Sequence, residues 1–173
     1  MAWEEELFAV LDDLEQQAEA AWGAERVAEL ADRSRAEYAA VALAGRLHAS
    51  VDRELTLVLA GRGPVTGRLQ RVGEGWCLLR GPGQDWVVRV GAVLAVRGAS
   101  PRAVPEMARS PLARLGLGSA LRRIADTGLG CVVHLVDGTQ HEVVLSRVGA
   151  DFAEAADGTL LAFAAIAAVQ SRD

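Results

Sequence analysis

Arg62, Arg68, Arg71, Arg80 and Arg89 fall within one short stretch, interleaved with Trp76 and Trp86. Guanidinium groups hold phosphates and indole faces stack on unpaired bases. This set therefore has the residue types that grip single-stranded nucleic acid. The same arginines also read as ordinary solvated surface charges. Trp76 has an aromatic counterpart later in the chain, Phe152, which favours a core position. Trp86 has no such counterpart and is expected to be the exposed ring.

His134, His141 and Glu142 surround Asp137-Gly138. Two imidazoles and a carboxylate are zinc-ligand types. Their hairpin register is not fixed by the sequence, and one step sends a side chain to the other face. No metal is expected there. No serine, cysteine or carboxylate sits in a nucleophile or acid–base motif. Gly61-Arg62-Gly63 and Gly116-Leu117-Gly118 lack the spacing of a phosphate loop and read as turns. The chain is expected to be no enzyme, to need no cofactor and to show no small-molecule substrate. Cys77 and Cys131, the only cysteines, lie in apolar runs and read as buried, reduced thiols.

The charge is unevenly spread. Residues 1–50 carry four arginines and eleven acids, residues 51–128 twelve arginines and six acids, and residues 129–173 two arginines and six acids. A net charge of -5 argues against a general nucleic-acid binder, while the basic middle leaves a local site open. The acidic N-terminal helices lying on the basic middle is the internal alternative. No apolar run is long enough to span a bilayer, and the acidic start is unlike a secretory signal. A cytoplasmic protein with no membrane contact is expected.

The elements that position these residues follow from periodicity. Residues 1–50 read as a helical segment. Trp3, Leu7, Leu14 and Trp22 lie on one apolar stripe that could meet a partner helix, and Gly23 marks an expected kink or break. From Leu55 the period changes to two. Five short strands are expected over residues 51–98, with turns at Gly61-Arg62-Gly63-Pro64 and Gly81-Pro82-Gly83-Gln84. Residues 99–114, with Pro101 and Pro105, read as a linker. Residues 115–173 begin with a short helix capped by Ser119 and continue with five more strands.

The two strand series are copies. Arg71-Val72-Gly73 returns as Arg147-Val148-Gly149 at an offset of 76 residues. Val93 to Val96 returns as Ile166 to Val169 at an offset of 73. Closure into small barrels would hide the strand edges.

Leu59, Gly61 and Val65-Thr66-Gly67-Arg68-Leu69 resemble the first Sm motif, and Arg89 to Val96 and Phe163 to Val169 resemble the closing strands of the Hfq branch. The resemblance implies an α+β chain: an N-terminal helical segment, then two tandem five-stranded Sm-like or SH3-like barrels, each preceded by a helix. In Sm-like proteins an asparagine reads RNA, and this chain has none. Where the Hfq branch has a lysine-histidine pair, Val90-Gly91 and Ala164-Ala165 stand here. RNA binding is therefore not carried over by residue. The expectation is a scaffold or adaptor that contacts a protein partner or itself, its two copies packed edge to edge as neighbouring subunits of an Sm ring are. The alternative is an RNA-binding regulator acting through the arginine-rich first copy.

Overall fold

The computed structural model describes residues 2–172, with side chains from residue 13 onward. It contains two units, Met1–Val41 and Ala42–Asp173.

The first unit is one helix, α1 (Ala2–Ala39). It runs through Gly23 without a break, against expectation. The cost of one glycine, about 1 kcal/mol, is small against the helix formers on either side. Leu14, Trp22, Val27 and Leu30 are exposed on it. The side chains of Trp3 and Leu7 lie outside the described residues.

The second unit starts with α2 (Leu43–His48) and β1 (Glu54–Leu59), β2 (Gly63–Gly73), β3 (Trp76–Gly81), β4 (Gln84–Arg89) and β5 (Val93–Arg97). Then come α3 (Leu117–Thr127), β6 (Gly130–Leu135), β7 (Gln140–Val148), β8 (Phe152–Ala155), β9 (Leu160–Ala162) and β10 (Ile166–Ser171). Alternation does what the sequence expects: Leu55, Leu57 and Leu59 of β1 point inward, as do Val65 and Leu69 of β2. Each such burial stabilises the fold by about 1.5–3 kcal/mol. Helix α3 extends further both ways than the expected Ala120 to Ala125, and Gly116, not Ser119, is its N-cap.

The expected pair of separately closed five-stranded barrels is not what forms. All ten strands make one antiparallel sheet in the order β5-β1-β2-β3-β4-β10-β6-β7-β8-β9. Within that order the repeat is plain. Each half runs last, first, second, third, fourth strand, and β4 of the first half pairs with β10 of the second. Closure is expected because it hides strand edges, and the edge of β4 is hidden in another way. The chain supplies it with a partner strand from the other copy.

The repeated Arg-Val-Gly also has a physical reason. A Cβ at Gly73 would collide with the Trp76 indole, and one at Gly149 with the Phe152 ring. In both copies the aromatic residue three positions on lies against the glycine. Trp76 also donates its indole N–H to the Leu115 carbonyl (2.7 Å).

Two apolar clusters flank the junction. One centres on Leu47, Leu57, Leu69, Leu79 and Val88, and includes Ala168 from the second copy. The other centres on Leu121, Val133, Leu145 and Ile166, and includes Trp76 and Val87 from the first. Each copy thus lends residues to the core of the other. The segment between the copies is docked on the first copy. Ser100 is buried, its N–H donates to Ser50 Oγ (2.8 Å), and Arg46 Nε donates to its carbonyl (2.8 Å).

Candidate functional site

The residues with chemical potential divide among three places: the seam between the copies, a cleft beside it, and the two outer sheet edges.

At the seam, Ala168 faces Val88, Val169 faces Val87 and Gln170 faces Trp86. Arg89, at the end of β4, donates from Nε to the Ile166 carbonyl (2.6 Å) and from Nη2 to the Ala164 carbonyl (2.8 Å). Charged donors on carbonyls are worth about 1.5–3 kcal/mol each when desolvated. Gln170 donates to Gln84 Oε1 (2.6 Å) and its own Oε1 meets His134 Nε2 (2.8 Å). Asp85 N–H donates to Ser171 Oγ (2.8 Å).

Trp86 is the main correction to the sequence reading. It is 5 % exposed rather than a surface ring. The Arg62 guanidinium carbon lies 5.1 Å from its ring centroid, and the His134 ring packs at 5.3 Å, tilted by 34°. Burial holds the His134 pKa below its ordinary value against the raising effect of the Gln170 hydrogen bond, and the Arg62 charge adds to the lowering.

The expected arginine set is dispersed. Arg62 lies on Trp86, and Arg89 is committed to the seam. Arg68 donates to the Asp52 carbonyl (2.7 Å), and Arg80 lies 3.5 Å from the Asp85 carboxylate. Arg71 makes no side-chain hydrogen bond or ion pair among the described residues, and Arg62 holds only to the Trp86 ring, its buried Nε without a hydrogen-bond partner. The two histidines do not meet. His134 opposes Gln140 while His141 opposes Val133, so their side chains leave on opposite faces. No group of metal-ligating side chains forms among the described residues. Cys77 and Cys131 are free and buried, and burial pushes the Cys77 thiol up to about 12.

The cleft lies where α3, packed across β7 and β8, leaves the neighbouring stretch of sheet uncovered. Its volume is about 580 Å³, and Trp76, Leu78, Val87, Ile124 and Val169 line its apolar part. Sequence reasoning missed it because its walls come from β2, β3, β4, α3, β6 and β10.

The outer edges are β5 and β9. Their exposure differs sharply from that of their repeat counterparts. Leu94 of β5 is 69 % exposed, whereas the equivalent Ala167 of β10 is fully buried. Leu160 of β9 is 62 % exposed, whereas the equivalent Val87 of β4 is 9 % exposed. Val87 opposes Val169 across the seam, and Ala167 directly precedes the seam pair Ala168–Val88.

No protein-family model matches the sequence, and neither curated proteins nor solved structures give a significant match. No helix is long and apolar enough to cross a membrane among the described residues.

Proposed function

We propose that this protein is a non-enzymatic scaffold that associates with further copies of itself through its two outer sheet edges. Its halves are read as Sm-like units joined side by side as neighbouring subunits of an Sm ring are, open rather than individually closed. The observation that carries this is the identity of the edges. The seam joins a fourth strand (β4) to a last strand (β10), and the two strands left uncovered are again a fourth strand (β9) and a last strand (β5). An exposed strand edge with apolar side chains is a template for another strand. Because the two edges differ, the contact is head to tail. It gives a ring if the rotation closes and a filament if it does not. The exposed apolar residues of α1 offer a second surface for a protein partner.

The outer contact is weaker than the seam for a definable reason. Ala162 stands where Arg89 stands in the first copy, so a β9–β5 pair has no arginine to hold the opposing carbonyls. Sedimentation velocity over a concentration series tests this. Association that grows with concentration is expected. Leu160→Glu, at an exposed position, should abolish it. Ala162→Arg should tighten it by about tenfold or more, the effect of one charge-assisted hydrogen bond. A wild-type chain that stays monomeric throughout would overturn the reading.

The RNA alternative draws less support, since Trp86 is buried and Arg62 and Arg89 are engaged inside the fold. A titration with short single-stranded RNA at two salt concentrations separates the readings, because phosphate contacts weaken steeply with salt. Tight, salt-sensitive binding lost on Arg71→Glu would favour RNA.

A further inference from the structure

The cleft beside the seam has no part in edge pairing, and its chemistry is of another kind. Its floor is apolar, with Trp76 contributing ring surface while its indole N–H is already committed to Leu115. Around the floor stand Arg71, Arg80, Arg123 and Arg172, and among the described residues Asp85 is the only carboxylate in the lining. Arg80 is near Asp85, and Arg172 is paired with Glu142 outside the cleft (2.8 Å). Arg71 and Arg123 have no hydrogen bond or ion pair among the described residues. A chain of net charge -5 has thus gathered four cations on the rim of an apolar hollow. Two of those cations have their donors free.

We propose that this cleft binds an amphipathic anion: a small molecule with an acyl or aryl body and a carboxylate or phosphate at one end. The body would lie on Trp76, Leu78 and Ile124, where it leaves water. The head would take the free forks of Arg71 and Arg123, which suit two-oxygen anions. The cleft volume falls within the range of about 300–1,000 Å³ that small-molecule sites occupy. Both halves of the ligand are needed. An apolar molecule without a charge leaves the guanidiniums unused, and a bare anion leaves the floor wet. Because α3, β3 and β10 all contribute walls, an occupant would also brace the seam between the copies.

Calorimetric titration of the full chain with decanoate, below its micelle concentration, tests this against decanol and decyltrimethylammonium. Saturable binding of decanoate is expected, at least about tenfold tighter than decanol, with no binding of the cation. Arg71→Glu and Arg123→Glu change exposed positions and should each weaken decanoate by about tenfold or more, while Arg102→Glu, outside the cleft, should leave it unchanged. Raising the salt should weaken decanoate and spare decanol. Equal affinity for decanoate and decanol, or decanoate binding that survives both cleft variants, would overturn the proposal; the second result would place the ligand elsewhere, such as on α1. Failure here leaves edge pairing intact, since none of these residues lies on β5 or β9.

Discussion

Gly61→Ala is expected to destabilise the second unit by about 3 kcal/mol or more, an unusually large loss for a single methyl group at a turn. Gly61 has φ +70°, where a side chain costs about 1–2 kcal/mol. The added carbon would also collide with the Leu135 carbonyl oxygen and the Gly138 nitrogen. Those atoms are backbone of the β6–β7 turn, so they cannot rotate away as a side chain could. The control is two residues on. Gly63 also has a positive φ, of +80°, but nothing stands within 4 Å of its missing Cβ. Gly63→Ala should cost only the conformational strain, about 1 kcal/mol. The difference between the two variants, measured by urea unfolding, reports the contact between a turn of the first copy and a turn of the second. Equal losses would mean that the turns do not touch.

Trp86→Ala is expected to cost about 3–5 kcal/mol, the range for a large aromatic removed from a packed core. Against a total stability of about 5–15 kcal/mol this is close to disabling. The ring fills the first apolar cluster and supports two groups beyond it: Arg62 on its face, and His134 of the second copy beside it. Arg62→Ala alone should cost less, and its effect should shrink in the Trp86→Ala background by about 0.5–2 kcal/mol, the worth of a guanidinium on an indole away from bulk water. Additive losses would show that the stacked pair contributes nothing. Thermal unfolding followed with a probe in each half should also show one transition. The cores share residues across the seam, so neither half has a complete core without the other.

These two residues mark what could and could not be read from the sequence. The repeat, the strands and the turns were legible, because alternation and Gly/Pro punctuation are local signals. Arg-Val-Gly returning before Trp76 and Phe152 encoded a real packing motif, a ring on a glycine. Trp86, expected at the surface, is buried for an instructive reason. Its neighbour, His134, belongs to the second copy, and an alignment of a chain with itself does not show what packs between the two halves. Closure failed as an expectation on the same ground. Periodicity says that a strand has two edges, but not which strand covers the second one. Gly23 is expected to mark a kink or break, yet α1 continues through it to Ala39. The arginine set looked like one site because its members are near in sequence. The fold sends Arg62 and Arg89 inward to the seam and leaves Arg71 on the cleft, beside Arg123 and Arg172, which no local spacing connects to it.

The head-to-tail account rests on one register. In the seam, Val169 opposes Val87, and the repeat maps these onto Val96 of β5 and Leu160 of β9. Directly opposed antiparallel residues lie about 4.5–5.5 Å apart at Cα, within reach of a disulfide. The direct measurement is oxidative cross-linking of two variants, Val96→Cys and Leu160→Cys, alone and mixed. The native Cys77 and Cys131 are buried with raised thiol pKa values and should stay silent. A disulfide-linked dimer that forms in the mixture and not with either variant alone is the predicted result. No dimer in the mixture at any concentration, or equal dimer from each variant alone, would contradict the pairing of β9 with β5.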